Sequence, residues 1–261
     1  MKLYSCLLLA LTAAAVSTPL NAATVTFDSA SDLSTNFTAA SNTGTAVAWN
    51  AGNGGTAVKY DTGISALIFN SAAASTSYTI KADVNFLPNG GAYTSGGSGF
   101  GLGFFTNIGT NNGYAALLRF TGTNTADFRL FEGANASTGS LGTQINEATS
   151  TFTLASGTWS TSGFYTLSLD VVNNGTSISF TGSVLTTGGT SLGTFATYLD
   201  TTPSSVANTS VGLRFGVGAF DRLALDNFTL PTSAIPEPST YALLGGAGVL
   251  GLALLTRRQR R

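Results

Sequence analysis

The clearest pattern in the chain is the alternation of apolar and polar residues over positions 164–172. Apolar side chains occupy every second position of this run, namely Tyr165, Leu167, Leu169 and Val171. A period of two residues is typical of a strand with one buried face. Asn174-Gly175 follows, and the alternation resumes at Ile178. Because Asn-Gly favours the positive φ angles of a type I′ turn, the pattern predicts a β-hairpin.

Similar short runs recur through the rest of the sequence and are separated by Gly, Ser and Asn turns. No segment between residues 24 and 230 keeps a helical period, so we predict an all-β sandwich or jelly roll in one domain over 24–230. Residues 231–234 form the predicted linker. The remaining predicted strands lie at 24–28, 46–49, 57–60, 66–69, 78–86, 100–105, 114–120, 127–131, 211–217 and 223–230.

The two ends of this domain have similar sequences. The domain opens with Val25-Thr-Phe-Asp28 and closes with a strand that contains Asp226-Asn-Phe-Thr-Leu230, and we expect these two strands to pair. In this respect the pattern resembles concanavalin-like and laminin-G-like jelly rolls, in which the first and last strands lie side by side. One sandwich architecture hosts many functions, so this resemblance implies a fold and not an activity.

Residues 1–23 have the composition of a signal peptide. Lys2 supplies the positive charge, residues 7–16 supply the apolar core, and cleavage is expected near Ala22 or Ala23. The single cysteine, Cys6, would leave with this segment. An exported domain without disulfides must rest on its hydrophobic core.

Charge and residue types exclude several functions. Between residues 24 and 234, six Lys or Arg residues are scattered among eleven Asp or Glu residues, which leaves a formal charge of −5. Nucleic-acid binding is not expected, because it relies on clustered basic residues. The chain has no histidine, so Ser-His-Asp, Cys-His and His-ligated zinc sites are excluded.

Two carboxylates would still suffice for glycoside hydrolysis. The candidates are Glu132 and Glu147, since Glu237 belongs to the C-terminal segment described next. The sequence Glu132-Gly-Ala-Asn-Ala-Ser does not match the Glu-x-Asp-x-x-Glu pattern of concanavalin-like glucanases. We expect Glu132 to end a strand at the solvent edge and Glu147 to lie in a loop, so no catalytic residue is predicted.

The last 27 residues, 235–261, divide into three parts. Pro236-Glu237-Pro238 cannot continue a helix. Residues 241–256 carry no charge and would extend about 24 Å as a helix, slightly less than a bilayer core. A basic end follows, and such a cluster stays on the cytoplasmic side of a membrane. Its cations are Arg257, Arg258, Arg260 and Arg261.

This order of parts closely resembles the PEP-CTERM sorting signal of exported proteins in Gram-negative bacteria. The resemblance implies that an exosortase-like membrane enzyme recognises Pro236, Glu237 and Pro238 and removes the transmembrane helix. The protein would then be held transiently in the inner membrane and end at the cell surface or outside the cell. It also implies an association with exopolysaccharide and biofilm. The alternative is an ordinary C-terminal anchor with Pro-Glu-Pro as a stiff spacer.

Carbohydrate binding would need exposed aromatic rings that stack on sugars. Tyr93 lies in a Gly-rich loop and Trp159 at a turn, so these two are the predicted carbohydrate-binding residues. Trp49 and Tyr60 alternate with apolar neighbours and are expected in the core.

Aspartates near the domain ends could hold structural calcium together with backbone carbonyls. Asp28 and Asp226 are the predicted metal ligands, with Asp221 as a third candidate. The alternative is that these side chains cap turns and pair with Arg222 or Arg214.

Gly97, Gly99, Gly101 and Gly103 occupy every second position of one run, and the last three alternate with Phe100, Leu102 and Phe104. This period predicts a strand and not a phosphate-binding loop, which would lead into a helix. One face of the strand is bare backbone, which suggests either close packing of another segment or room for a flat ligand.

The function that these observations favour is an exported, non-catalytic polysaccharide-binding protein. Two alternatives remain: a self-associating surface coat without a specific ligand, and a glycan hydrolase or lyase.

Overall fold

The computed structural model describes residues 21–51, 55–59, 63–71, 73, 77–88, 100–106, 113–120, 124–146, 151–153, 163–204, 210–217 and 220–232. Residues 21–233 form one compact unit. The elements, in chain order, are β1 (Asn21–Val25), α1 (Ala30–Asn36), β2 (Phe37–Asn42), β3 (Ala48–Asn50), β4 (Thr56–Lys59), β5 (Gly63–Phe69), β6 (Tyr78–Pro88), β7 (Phe100–Thr106), β8 (Gly113–Phe120), β9 (Thr125–Ala134), β10 (Thr143–Gln144), β11 (Thr151–Thr153), β12 (Tyr165–Asn173), β13 (Ile178–Thr186), β14 (Ser191–Thr194), β15 (Tyr198–Asp200), β16 (Gly212–Val217) and β17 (Phe220–Thr232).

The strands form two antiparallel sheets. The nine-stranded sheet has the order β14-β13-β12-β6-β17-β4-β3, with β1 also on β17 and β15 also on β13. The eight-stranded sheet has the order β10-β9-β8-β7-β16-β5-β2, with β11 also on β9. Consecutive strands often lie in different sheets, so the chain repeatedly crosses from one sheet to the other.

The two sheets pack face to face around one main core, because alternate residues of both sheets join the same buried cluster. At one end of the core the rings of Phe37, Phe69 and Phe228 lie 5.0–5.3 Å apart between centroids, a spacing typical of packed aromatic pairs. The predicted all-β sandwich is therefore confirmed.

The predicted hairpin is formed by β12 and β13, but its turn differs from the prediction. The last paired residues are Asn173 and Ile178, which leaves a four-residue loop. Gly175 has a φ of 86°, whereas Asn174 is not among the residues with positive φ, so the loop is not a type I′ turn. Instead the Asn173 Oδ1 atom accepts a hydrogen bond from the Gly175 N–H at 2.7 Å, an Asx turn that favours this loop.

The predicted pairing of the first and last strands is confirmed. β1 lies antiparallel to β17, with Val25 opposite Phe228 and Asn21 opposite Thr232. Pairing thus extends beyond the predicted domain limits of 24 and 230. Cleavage near Ala22 or Ala23 would remove the outermost pairs and leave those from Thr24 to Val25 in place.

The expectation that the body lacks helix is wrong at one place. α1 has seven residues, and its start is stabilised by the Ser29 N–H, which donates to Asp32 Oδ2 at 2.9 Å. Two turns are too short to show a helical period. The alternation also missed β2, β10, β11, β14 and β15, most of which have four residues or fewer.

The predicted signal peptide, 1–23, and sorting segment, 235–261, lie almost wholly outside the described residues. Within the part of the chain that the structure describes, no helix has the length and apolar character needed to cross a membrane.

Candidate functional site

Three arginines lie on the outer face of the eight-stranded sheet. They are Arg119 on β8, Arg129 on β9 and Arg214 on β16, and each alternates along its strand with residues of the main core. Their side chains therefore project from the face opposite the core. The strand register places them in two adjacent rows. One row is Gly216, Gly101, Arg119 and Asp127, and the other is Arg214, Gly103, Leu117 and Arg129.

Asp127 joins two of these arginines. Its Oδ1 atom accepts a hydrogen bond from Arg119 Nε at 2.7 Å, and its Oδ2 atom forms a second, short contact with Arg119 Nη2. Arg129 Nε lies 3.3 Å from the same Oδ2 atom. Asp127 is only 3 % exposed, so one buried carboxylate holds two guanidinium groups in a fixed arrangement.

The third arginine is covered by the loop between β9 and β10. Arg214 Nε donates to the carbonyl oxygen of Gly139 at 3.1 Å, and burial lowers the pKa of this guanidinium. Ala136 of the same loop packs with Phe105 and Ala115 in a second, smaller buried cluster. This loop therefore closes one end of the outer face of the eight-stranded sheet.

The glycine-rich run is a strand, β7, as predicted. At Gly103 the missing side chain is replaced by close neighbours: a Cβ atom there would lie 3.1 Å from Arg214 Cβ and 3.4 Å from Leu117 Cδ1. The close-packing interpretation is therefore confirmed at Gly103. Gly97 and Gly99 lie outside the described residues.

The outer face of the nine-stranded sheet carries carboxylates instead. Asp226 of β17 lies directly opposite Asp83 of β6. The Asn227 side-chain amide, at a strand irregularity with a φ of 45°, donates to Asp83 Oδ2 at 2.9 Å and to Asp226 Oδ2 at 3.3 Å. Thr166 donates to the other oxygen of Asp83. A neutral amide thus bridges the two carboxylates.

Asp28 and Asp226 stay predicted calcium ligands, and their side-chain contacts within the described residues are hydrogen bonds. The Asn227 amide donates to both Asp83 and Asp226, and Asp28 Oδ2 accepts a hydrogen bond from Thr26 at 2.6 Å. Among the described residues, no group of three or more His, Cys, Asp or Glu side chains is arranged to hold a metal ion. In the alternative, the aspartates cap turns and pair with Arg222 or Arg214. Arg214 lies in the other sheet and donates to Gly139, and the side chain of Arg222 lies outside the described residues.

The carboxylate pair affects the protonation of Asp226. Burial, followed by the negative charges of Asp83 and Asp28, raises the pKa of Asp226 from 3.8 to about 6, although the hydrogen bond from the Asn227 N–H opposes this rise. Asp226 therefore binds a proton in mildly acidic solution, where an ordinary aspartate is ionised.

A further polar cluster connects the two sheets at Tyr114. The Tyr114 hydroxyl donates to Asp200 Oδ2 at 2.6 Å and lies 3.5 Å from Glu132 Oε1. Burial, together with the hydrogen bond to Asp200, raises the pKa of Tyr114.

The expectation that Glu132 ends its strand at the solvent edge is wrong. It is half-buried, pairs with Thr143 of β10, and accepts a hydrogen bond from the Ser204 N–H at 2.9 Å. These contacts attach the 200–204 loop to β9.

Of the aromatic candidates, the structure describes Trp49. It packs against the main core, as expected, and its Nε1–H donates to the Phe27 carbonyl oxygen at 2.6 Å. Phe27 has a φ of 54°, so Trp49 fixes a strained segment next to β1. Tyr60, Tyr93 and Trp159 lie outside the described residues, as does Glu147.

The sorting residues Pro236, Glu237, Pro238, Arg257, Arg258, Arg260 and Arg261 also lie outside the described residues. Comparison with protein families nevertheless identifies this segment: residues 234–261 match the PEP-CTERM protein-sorting motif. No curated protein matches the chain significantly.

Several solved structures align with most of this chain at low sequence identity. A legume lectin-like domain from Entamoeba histolytica matches with 7 % identity and a TM-score of 0.46, covering 79 % of this chain and 94 % of that one. Winged bean acidic lectin has 12 % identity and a TM-score of 0.47, with coverages of 80 % and 97 %. The Emp46p carbohydrate recognition domain has 10 % identity and a TM-score of 0.49, again with coverages of 80 % and 97 %. At these values the similarity assigns no ligand, and what the comparisons identify in this chain is a C-terminal PEP-CTERM sorting motif.

Proposed function

We propose that this chain is the precursor of an exported protein that an exosortase-like enzyme processes at its C-terminus. Its β-sandwich then acts at the cell surface or in the extracellular matrix as a non-catalytic polysaccharide-binding protein. The observation that carries the proposal is the PEP-CTERM motif over residues 234–261. Its Pro-Glu-Pro, uncharged span and arginine cluster are the parts that such processing would use.

The organisation of the body supports processing at this position. Residues 21–233 form a compact unit with its own hydrophobic core, so removal of the chain beyond Pro-Glu-Pro would leave a complete domain. The sequence from residue 24 onward has no cysteine, which means that the domain does not depend on oxidation after export.

A hydrated polymer is the partner that suits this surface best. Within the described residues, Val172 and Leu199 are the large hydrophobic side chains with high exposure, at 45 % and 52 %, and Ser, Thr, Asn and Gly dominate the polar positions. Tyr93 and Trp159 are the proposed sugar-stacking residues. The role in biofilm and exopolysaccharide is part of the same proposal.

The first test is the intact mass of the protein recovered from producing cells and from their medium. We expect loss of the signal peptide and of everything beyond the Pro-Glu-Pro region. A full-length tail that retains Arg261 in the membrane fraction would contradict the sorting proposal and favour the ordinary anchor.

The second test is a polysaccharide screen with three variants. Tyr93→Ala and Trp159→Ala should each weaken saturable binding about tenfold, because stacked rings contribute on the order of 1 kcal/mol or more. Tyr93→Phe is the matched control, since it keeps the ring. Unchanged binding by both alanine variants would overturn the assignment of these residues.

The alternative of a self-associating coat has less support from the described structure. The strands at the ends of the main sheet paths are β14 and β3 in one sheet and β10 and β2 in the other. Three of them have four residues or fewer and β2 has six, and short edges resist strand addition. Ordered assembly of the purified protein without any glycan would favour this alternative. Release of reducing ends or unsaturated products from a polysaccharide would favour a hydrolase or lyase.

A further inference from the structure

The fold brings together cations that the sequence scatters. Arg119, Arg129 and Arg214 are three of the six Lys and Arg residues in the body, and all three lie on the outer face of the eight-stranded sheet. Asp127 is the one carboxylate in their two rows. These rows therefore have a formal charge of +2 on a body whose charge is −5.

Arg129 is the most accessible cation of the Asp127 cluster. Its side chain is 32 % exposed, compared with 11 % for Arg119. Its contact with Asp127 uses Nε alone. Within the described residues, no acceptor is recorded for its two Nη groups, which carry four of the five guanidinium donors.

The cluster is also held in place before any ligand binds. Arg119 binds both oxygens of Asp127, and Asp127 in turn fixes the Nε atom of Arg129. Holding one part of a guanidinium reduces the entropy that is lost when its other donors bind an anion. Carboxylate and sulfate groups both match the parallel donors of such a guanidinium.

We propose that Arg129, supported by Arg119 through Asp127, binds the anionic group of an acidic polysaccharide on the outer face of the eight-stranded sheet. The anionic group is a carboxylate or a sulfate. This inference rests on the proposed polysaccharide binding and names the class of polymer. Arg214 adds to the local positive charge but is covered by the loop between β9 and β10.

The negative charge of the whole body does not prevent this binding. The Debye length is about 8 Å at physiological ionic strength, and packed sheets lie about 10 Å apart. The aspartates on the outer face of the nine-stranded sheet point away from Arg129, with both sheets between them, so the interaction runs largely through solvent, where mobile ions screen it. Local charge dominates at this distance.

The experiment measures binding of the full-length protein, in mild detergent, to three immobilised polymers: polygalacturonate for carboxylates, dextran sulfate for sulfates, and dextran as the neutral polymer. We expect binding to at least one acidic polymer, and a loss of about tenfold or more in affinity with Arg129→Gln. The affinity of Arg129→Lys should lie between those of the wild type and Arg129→Gln, because lysine keeps the positive charge but lacks the parallel N–H donors of the guanidinium group. Lys81→Gln is the matched control: it removes one positive charge from the other sheet and should change affinity less than about twofold.

Four results would overturn the inference. Equal losses with Arg129→Gln and Lys81→Gln would indicate a general charge effect, and unchanged affinity with Arg129→Gln would remove Arg129 from the site. Binding to dextran that is as strong as binding to the acidic polymers would leave the proposed function standing and reject this inference alone. Absence of binding to all three polymers and to the wider polysaccharide screen would reject both. Urea unfolding checks that each variant is folded. If Arg129→Gln is not folded, the affinity of Arg129→Lys decides the outcome.

Discussion

The outer faces of the two sheets differ in how their charged side chains are stabilised. On the eight-stranded sheet, one carboxylate, Asp127, is buried between Arg119 and Arg129. Among the described side chains on the outer face of the nine-stranded sheet, carboxylates outnumber cations and are held by neutral donors: Asp83 by Thr166 and Asn227, and Asp170 by Thr79 at 2.6 Å. The first face depends on ion pairing, whereas the second depends on hydroxyl and amide hydrogen bonds.

This difference determines how each face tolerates change. A buried charge that loses its partner is costly, because desolvation is no longer offset. A half-buried carboxylate that loses a neutral donor can still be solvated, so its loss costs much less. The arginine-rich face should therefore be rigid and sensitive to substitution, and the aspartate-rich face tolerant and sensitive to pH.

The largest expected effect separates the two faces directly. Asp127→Asn leaves two guanidinium groups without their carboxylate and should lower the free energy of unfolding by about 3–5 kcal/mol. Asp170→Asn, the same substitution on the other face, removes a carboxylate that accepts from Thr79 and should cost less than about 1 kcal/mol. Urea unfolding of both variants measures the difference, and equal losses would contradict it.

A smaller effect tests whether the glycine-rich part of the arginine face is packed. Gly103→Ala places a methyl group 3.1 Å from Arg214 Cβ, a strand-borne atom that cannot easily move, and should destabilise the domain by about 1–2 kcal/mol. Gly188→Ala is the control, since the nearest atom to its new methyl group is Thr186 Oγ1 at 3.7 Å. If Gly103→Ala left the free energy of unfolding unchanged, this surface would have room for a ligand.

The smallest effect tests the pH response of the aspartate face. The pKa of Asp226 is raised to about 6 from 3.8, so the folded state holds its proton more tightly than the unfolded state does. The resulting stabilisation of the folded state is fully present below the pKa that Asp226 has in the unfolded chain, and it is lost as the pH rises through about 6. After allowance for solvent screening we expect roughly 1 kcal/mol.

Asp226→Asn isolates this contribution. The difference in unfolding free energy between wild type and variant, measured by urea unfolding at pH 4 and at pH 7, should change in favour of the variant as the pH rises. A constant difference across this range would show that Asp226 titrates normally in the folded state.

Much of the fold could be predicted from the sequence because strand alternation is a local property. The runs around Leu167, Leu213 and Leu225 predicted strands that the structure contains, and the similar ends of the domain predicted the pairing of β1 with β17. Four of the missed strands, β10, β11, β14 and β15, have two to four residues and show no clear period, and the fifth, β2, has six residues without alternating burial. The turn at Asn174 is not of the predicted type, because the Gly175 backbone N–H donates a hydrogen bond to the Asn173 side-chain oxygen.

The sequence by itself determined the all-β class, the hairpin and the C-terminal sorting motif, because each depends on residues that are close along the chain. Only the tertiary structure decided which charges meet. Asp83 and Asp226 are 143 residues apart and become direct neighbours through the register of β6 and β17. The register of β8, β9 and β16 likewise gathers three separated arginines on one face. Local alternation decides which face of a strand is buried, but the pairing of strands that are distant in the chain depends on the packing of both sheets over the whole core.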